Sequence, residues 1–379
     1  MRCSPDMLDQ LIARNFKCLD SIRLPLAPLS VFAGLNGMGK STVIQSLLLL
    51  HQSHQVSTDG SVRRLVLNGP LTNIGTAADA LWEGADQEQL ALGIMVDGQE
   101  SIWEFEYQEG DDELQGLESN PATVPTGHGL FTDAFHYLRA ERFGPRASSP
   151  VSSTAVRYRR QIGCDGEYAP FFLATFGTED LPNRQLHHPS AASTQIRHEL
   201  EAWLGEISPG TRVYTEAHKK LDLVSLAFAV ASPLGETQHF RATNVGFGIS
   251  YIMPIILAVL AAGPGTLILL ENPEAHLHPR GQVKMGELLA LATQGGVQIL
   301  VETHSDHLLN GIRLAVHGGR VSPEKVGLFF FSREQKADTI STRISTPRMD
   351  TAGRISEWPD GFFDETEKVL RQLLLPPKP

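Results

Sequence analysis

The sequence contains few cysteines. Its 379 residues include only Cys3, Cys18 and Cys164, which are too far apart to form a C-x-x-C motif. Structural zinc sites and disulfide frameworks depend on clustered or regularly paired cysteines, so neither is predicted. A cysteine content this low is typical of proteins in a reducing cytoplasm, where we expect this chain to be located.

Long apolar runs, heptad repeats and an excess of positive charge are also missing. The most apolar stretch, residues 251–262, is too short to cross a bilayer, and the first residues do not resemble a secretion signal. The lack of sustained heptads excludes a long coiled-coil arm. The formal net charge of −11 at pH 7 argues against general attraction to membranes or nucleic acid, although a local basic strip would still allow nucleic acid to bind.

Residues 34–41 read Gly-Leu-Asn-Gly-Met-Gly-Lys-Ser, a complete G-x-x-x-x-G-K-[ST] phosphate loop. A short apolar strand pattern precedes the loop, and a helical pattern that we predict to end near His51 follows it. In such a loop, backbone N–H groups point at phosphate oxygens, Lys40 reaches the β- and γ-phosphates, and Ser41 offers its hydroxyl to Mg²⁺. The sequence therefore predicts ATP and Mg²⁺ as cofactors, bound by Asn36, Gly37, Gly39, Lys40, Ser41 and Thr42.

A second glycine-rich segment, residues 246–250, lies directly ahead of an apolar helix predicted over residues 251–262. Bare backbone N–H groups at the start of a helix form an anion site, because the helix dipole adds positive charge there. The residues that we expect to contribute to this site are Gly246, Gly248 and Ser250.

Two buried parallel strands are predicted to place functional side chains beside the phosphate loop. Residues 266–270 are continuously apolar and end in Glu271, whose carboxylate would face a magnesium-bound water. Residues 297–301 form the other strand and place His304 at its C-terminal edge, where open α/β sheets bind ligands. Histidines 276, 278, 304 and 307 also allow a metal cluster, which is less favoured because no H-E-x-x-H helix or cysteine accompanies them.

The phosphate loop, the glycine-rich segment, Glu271 and His304, in this order, resemble the nucleotide-binding core of the ABC-type ATPases of the non-transporter, SMC-like branch. Residues 271–279 (Glu-Asn-Pro-Glu-Ala-His-Leu-His-Pro) and 302–306 (Glu-Thr-His-Ser-Asp) are similar to the ATPase halves of the OLD (overcoming lysogenization defect) proteins. They are similar also to small stand-alone bacterial AAA ATPases with a short uncharacterised C-terminal module, which here would be residues 355–375.

This resemblance implies an α/β fold. The expected architecture is an ABC-type P-loop NTPase core with a mixed sheet flanked by helices, an antiparallel β subdomain and a helical or loop insertion. We expect four regions: the first part of the ATPase domain (1–110), the insertion (111–207), the second part of the ATPase domain (208–340) and the C-terminal module (341–379).

The resemblance also implies a homodimer around ATP, with higher oligomers left open. Glu271 would occupy the Walker B position and bind metal with Ser41, and His304 would sense the γ-phosphate. Asn272 stands where the family usually has the glutamate that activates water, and an amide cannot act as a general base. Either Glu274 takes this catalytic role, or hydrolysis is slow and the ATP-bound dimer is long-lived.

OLD proteins continue into a Toprim nuclease, which needs clustered acidic metal ligands. Only 75 residues, 305–379, follow His304, and they contain no D-x-D motif. We therefore expect nuclease or toxin activity on a partner effector, which this chain would regulate through ATP. Analogy suggests a role in bacterial anti-phage defence.

Two other functions are weaker candidates. A DNA repair or chromosome-maintenance ATPase would clamp nucleic acid in a basic groove, and the acidic balance and missing coiled coil count against it. The ATPase subunit of a membrane transporter would carry Leu-Ser-Gly-Gly-Gln where this chain has residues 246–250, so we expect no membrane partner.

Overall fold

A computed structural model describes residues 7–233, 235–336, 339–359, 361, 363 and 365–374. In chain order its strands are β1 Leu8–Phe16, β2 Leu19–Pro25, β3 Leu29–Gly34, β4 Arg64–Val66, β5 Gln89–Val96, β6 Gln99–Glu106, β7 Glu113–Gly116, β8 Phe135–Leu138, β9 Ser148–Pro150, β10 Thr211–His218, β11 Leu223–Ser232, β12 Gly235–Glu236, β13 Phe240–Arg241, β14 Leu267–Glu271, β15 Gln298–Glu302, β16 Val326–Lys336 and β17 Thr339–Ser345. Its α-helices are α1 Lys40–Val56, α2 Ala77–Ala80, α3 Ala169–Phe176, α4 Ile196–Ile207, α5 Phe247–Ala261, α6 Pro279–Ala292, α7 Asp306–His317 and α8 Glu365–Leu373.

The central sheet is mixed and has the strand order β17-β16-β3-β15-β14-β8. Strands β16, β3, β15, β14 and β8 run parallel to their neighbours, whereas β17 is antiparallel to β16. Strands β3, β14 and β15 are almost entirely buried, which explains why they are continuously apolar instead of alternating. Because parallel strands end at the same edge of a sheet, the phosphate loop and the segments after β14 and β15 come together there.

An antiparallel sheet with the order β2-β1-β5-β6-β7-β4 packs over helix α1. The turn between β5 and β6 has positive φ at Asp97 (50°) and Gly98 (73°), as tight hairpins with an Asp-Gly turn require. A third sheet groups β10, β11 and β12, with β9 and β13 also paired to β11, and it packs against α3 and α4. The mixed central sheet, its helices and the antiparallel sheet confirm the fold class predicted from the sequence.

Helix α1 is longer than predicted. The sequence pattern suggested an end near His51, but the helix continues to Val56. Gln52 and Ser53 are buried and hydrogen-bond the backbone of Val66. The side-chain amide of Gln52 donates to the Val66 carbonyl oxygen at 2.7 Å, and the Val66 N–H donates to the Ser53 hydroxyl at 2.9 Å. The polar residues extend the helix because a distant strand satisfies them, which a local pattern cannot reveal.

Helix α5 also begins earlier than predicted. The expected start was Tyr251, yet the helix runs from Phe247, so residues 247–250 form its first turn instead of a loop ahead of it. Glycine lowers helix propensity, and Gly248 therefore masked the true start of the helix in the sequence.

The predicted domain boundaries stay predictions, and the structure adds detail to two of the regions. The expected insertion, residues 111–207, supplies β7 to the antiparallel sheet and β8 to the edge of the central sheet. The expected C-terminal module includes α8, but residues 360, 362, 364 and 375–379 lie outside the described part of the chain. In the described residues, none of the helices has the length and apolar character needed to cross a membrane.

Helices α6 and α7 are in backbone contact through two glycines. A Cβ on Gly286 of α6 would overlap the carbonyl oxygen of Leu308, and a Cβ on Gly311 of α7 would overlap that of Val283. Each glycine therefore lies directly against the backbone of the opposite helix. The two helices begin immediately after the segments that follow β14 and β15, so this contact holds together the elements behind the site.

Candidate functional site

The phosphate loop folds as its glycines dictate. Gly34, Gly37 and Gly39 have φ values of 140°, 74° and 99°, in the region that glycine adopts readily. A side chain would not fit at two of them, because a Cβ on Gly34 would overlap the carbonyl oxygen of Phe331 and one on Gly39 would lie 2.8 Å from Cys18 Sγ. The loop leads directly into α1, so its N–H groups and the positive end of that helix face the same space.

Lys40 lies folded inside the loop, with 3% of its surface exposed. Its Nζ donates hydrogen bonds of 2.9 Å to the carbonyl oxygens of Gly34 and Leu35 and lies 3.7 Å from Glu302 Oε1. Burial lowers the pKa of Lys40, and the neighbouring Glu302 opposes this shift. The ammonium group is thus held at the centre of the loop, where a phosphate would lie.

Ser41 donates a hydrogen bond of 2.8 Å to Oε2 of Glu302. Glu302 ends β15, is 7% exposed, and was not among the site residues predicted from the sequence. Burial raises the pKa of Glu302, while Ser41 and Lys40 act in the opposite direction. A signal was nevertheless present, since both apolar strands, β14 and β15, end in a glutamate.

Glu271, the predicted metal ligand, makes its hydrogen bonds elsewhere. Its carboxylate accepts bonds of 3.0 Å from the Tyr137 hydroxyl and from the Ala140 amide. Burial and the nearby Glu271 carboxylate raise the pKa of Tyr137, so this residue is a stable proton donor. The structure therefore places Glu271 at the carboxyl edge of the sheet but does not bring it into hydrogen-bond contact with Ser41.

Arg142 fixes the backbone that follows β14. Its guanidinium is buried and donates to the carbonyl oxygens of Arg139 (2.6 Å), Glu271 (2.7 Å) and Asn272 (3.0 Å). It also lies 4.3 Å from the ring centroid of Tyr251. Asn272 has a φ of 44°, a left-handed conformation that asparagine tolerates better than most residues.

Glu274 holds the backbone of His304, the residue predicted to sense the γ-phosphate. Its Oε1 accepts a 2.8 Å hydrogen bond from the backbone N–H of His304. Burial raises the pKa of Glu274, and the bond from His304 partly counters that effect. The His304 side chain is exposed beside the loop, and partial burial together with the charge of Lys40 lowers its pKa.

The glycine-rich segment, residues 246–250, packs against the loop after β14. A Cβ on Gly248 would lie 2.7 Å from the carbonyl oxygen of His276. The His276 ring lies 4.5 Å from that of Phe247 and 4.8 Å from that of Tyr251 between centroids. Gly248 therefore permits a close approach between this segment and the loop, and Ser250 is buried behind it with no hydrogen-bond partner for its hydroxyl.

A cavity of about 550 Å³ opens over the phosphate loop, which is within the size range of ligand pockets. The predicted residues that line it are Asn36, Gly37, Gly39, Lys40, Ser41 and Thr42. Others that the sequence did not suggest are Lys17, Cys18, Trp82, Glu302 and Arg333. No residue of the 246–250 segment lines this cavity. The structure therefore groups the predicted residues of the phosphate loop but does not bring the predicted residues Gly246, Gly248 and Ser250 to them.

Histidine clusters give no metal centre in the described part of the chain, where no three His, Cys, Asp or Glu residues are grouped as ligands. His278 instead caps α6 by accepting a 3.3 Å bond from the Arg280 amide. For Mg²⁺ bound with a nucleotide the donor set does fit, because that ion prefers a few protein oxygens together with water and phosphate. Ser41 and the carboxylate beside it supply such oxygens.

Two family descriptions match parts of the sequence. Residues 206–310 match the family described as "AAA domain, putative AbiEii toxin, Type IV TA system", and residues 321–373 match a protein family of unknown function, DUF3696. The chain is also 46% identical over 327 residues to an OLD nuclease of Thermus scotoductus. This match covers 79% of the chain and 59% of the relative, so the chain spans less than two thirds of the length of that protein.

Solved structures with the same fold are heads of SMC proteins. One is an SMC head bound to the C-terminal winged-helix domain of ScpA, with a TM-score of 0.51 and 13% identity over 89% of this chain and 98% of the other. Another is an SMC head with an extended coiled coil, bound to the C-terminal domain of ScpA and derived from Pyrococcus furiosus. It has a TM-score of 0.51 and 11% identity over 97% of this chain and 99% of the other. At these identities the likeness establishes the fold.

Proposed function

We propose that this chain is an ABC-type ATPase related to the OLD proteins, and that it binds ATP with Mg²⁺ at residues 34–41 and hydrolyses it slowly to control a partner. The observation that carries this proposal is the complete phosphate loop, with Lys40 buried at its centre and Ser41 against a carboxylate. A buried lysine that bonds only carbonyl oxygens and one carboxylate is desolvated at a cost that an incoming phosphate would offset.

Each side chain has a definite part in this proposed reaction. Lys40 donates to the phosphate oxygens, and Ser41 provides an oxygen to the metal. Ser41 would hold Mg²⁺, which would supply positive charge beside the phosphates. Glu274 is the proposed acceptor of a proton from the attacking water, because the amide of Asn272 cannot act as a base. His304, whose pKa partial burial and the charge of Lys40 lower, is proposed to donate to the terminal phosphate.

We further propose that two copies associate head to tail around ATP. The segment 246–250 does not line the cavity over the phosphate loop of its own chain. The phosphate loop and the 246–250 segment each expose a large apolar side chain. Leu35 in the loop is 63% exposed, and Phe247 at the start of α5 is 46% exposed. Association would cover both residues and bring the glycine-rich helix start to the phosphates.

The partner is proposed to be an effector with nuclease or toxin activity. This rests on the similarity to an OLD nuclease and to a family described as a toxin of a type IV system, and on the fact that one SMC head with this fold binds a ScpA domain. A role in anti-phage defence follows from the same analogy.

We expect Glu274→Gln to keep ATP-driven association and to lower turnover at least about 100-fold, the low end of general acid–base contributions. The amide oxygen of glutamine still accepts the His304 N–H, so the loop stays in place while the base is lost. Light scattering after size exclusion, with and without ATP and Mg²⁺, measures the mass, and phosphate release is followed in the same samples. Glu104→Gln, an exposed member of an ion pair with Arg14, is the matched control.

Two results would contradict these roles. Unchanged turnover in Glu274→Gln would mean that Glu274 is not the general base and only holds the backbone of His304. A wild-type mass that is indifferent to ATP would reject the dimer, and absent phosphate release would reject the hydrolysis.

The alkylation rate of Cys18 can report whether the cavity over the phosphate loop is occupied. Its Sγ lies 3.5 Å from Thr42 Oγ1 and lines the space over the loop. We expect ATP with Mg²⁺ to slow the alkylation of Cys18 by iodoacetamide several-fold and to leave Cys164 unaffected. Cys164 is a suitable internal reference, because it contacts Arg139 at 3.0 Å, outside this cavity.

Peptide mass spectrometry over a time course measures both alkylation rates in one sample. Equal protection of the two cysteines would indicate a general tightening of the protein. No protection of either would place the nucleotide elsewhere.

A further inference from the structure

We infer that Glu302, the last residue of β15, supplies the protein carboxylate of the magnesium site, next to the hydroxyl of Ser41. The inference rests on the proposed function, since it concerns the metal that accompanies ATP. It assigns to Glu302 a position that the sequence motifs attributed to Glu271. Four observations support it.

The first observation is the spacing of the two oxygens. Ser41 Oγ and Glu302 Oε2 are 2.8 Å apart. Mg²⁺ demands near-ideal octahedral geometry with oxygens at about 2.1 Å, so neighbouring ligands lie roughly 3.0 Å from each other. The two oxygens are therefore close enough for one cation to bind both.

The second observation is the strand order. Strand β15 lies between β3, which leads into the phosphate loop, and β14. Glu302 is the register partner of both Phe32 on β3 and Glu271 on β14. Glu302 is thus one strand closer to Ser41 than Glu271 is, at the same level of the sheet.

The third observation is that Glu271 is already engaged. Both of its oxygens accept hydrogen bonds, from the Tyr137 hydroxyl and the Ala140 amide, and Arg142 binds its carbonyl oxygen. These contacts hold Glu271 towards β8, on the side of the sheet away from β3. Glu271 therefore fixes the backbone at the site, whereas the partners of Glu302 are the two side chains that nucleotide would recruit.

The fourth observation is the balance of charge. Glu302 is buried and has Lys40 and Ser41 as its partners. When Lys40 turns to phosphate and Ser41 to metal, Glu302 would become a buried carboxylate without a partner, which is strongly unfavourable. A divalent cation that arrives with the nucleotide removes this cost.

The test compares nucleotide binding with and without metal. Isothermal titration of the full-length protein with ADP, in EDTA and in Mg²⁺, gives the metal-dependent gain in affinity, and electron paramagnetic resonance of Mn²⁺ with ADP measures metal binding directly. The variants are Glu302→Gln, Glu302→Asp and Glu271→Gln, with Glu104→Gln as the surface control. Melting curves of all variants check that they fold.

We expect Glu302→Gln to lower Mn²⁺ affinity in the ADP complex about 10- to 100-fold, the range known for altered metal surroundings. Its affinity for ADP in EDTA should equal or exceed that of the wild type, because a negative charge near the phosphates is gone. Glu302→Asp should recover part of the metal affinity, and Glu271→Gln should stay within about twofold of the wild type.

Wild-type metal affinity in both Glu302 variants, or a larger loss in Glu271→Gln, would overturn the inference and leave the proposed ATP site intact. If Glu302→Gln does not fold, Glu302→Asp decides, since unchanged Mn²⁺ binding on a shortened side chain contradicts a ligand role. A wild-type protein that binds no nucleotide in either condition would reject the proposed function and this inference together.

Discussion

Replacing Lys40 with alanine is expected to weaken ATP binding strongly. The ammonium lies buried at the centre of the loop, where it bonds two carbonyl oxygens at 2.9 Å. Charge-assisted hydrogen bonds contribute about 1.5–3 kcal/mol each. The loss of two such bonds to phosphate would lower affinity by about 3 kcal/mol or more, which is at least roughly 100-fold.

Isothermal titration with ADP and with a non-hydrolysable ATP analogue measures this change. Lys284→Ala, on the outer face of α6 and paired with Glu206 and Glu287, is a matched control that should bind as the wild type does. Because Lys40 also holds loop carbonyls, melting curves without nucleotide are needed for both variants. Retained affinity in a folded Lys40→Ala protein would show that residues 34–41 do not bind phosphate.

Gly286→Ala is expected to destabilise the protein by about 1–3 kcal/mol, the usual cost of overpacking. The new methyl group would overlap the backbone carbonyl of Leu308 on α7, and a backbone atom cannot rotate away as a flexible side chain can. Alanine is intrinsically the better helix former by about 1 kcal/mol, so any net loss reports the clash. Thermal and urea unfolding give the free energy difference.

Gly205→Ala is the control for that experiment. Gly205 lies inside α4, and a Cβ there would meet no atom within 4 Å. Here the gain in helix propensity should appear alone and stabilise the protein by up to about 1 kcal/mol. Equal effects of the two substitutions would mean that α6 and α7 separate at little cost.

The local features of this molecule were readable from its sequence. The phosphate loop lies between a buried strand and a helix, as its motif requires, and the apolar runs before Glu271 and Glu302 are the buried strands β14 and β15. Such features depend on residues within one segment. The predicted fold class was implied by the resemblance of these segments, in their order along the chain, to the ABC-type ATPases.

The contacts that decide the chemistry were not readable in the same way. Ser41 meets Glu302 across 261 positions of sequence, and Arg142 meets Asn272 across 130. Cys18 lies against Gly39 because the turn after β1 folds over the loop. No periodicity encodes such pairs, since they depend on which strands become neighbours in the sheet.

The glycine contact between α6 and α7 limits how this protein can move. Helices separated by side chains can slide past each other in small steps. Here the backbone of each helix lies against a glycine of the other. Sliding would replace these glycines at the contacts with larger residues. We therefore expect α6 and α7 to move together. Because α6 begins after His278 and α7 after Ser305, both helices start at the site, so a displacement of either preceding segment would be passed to both helices.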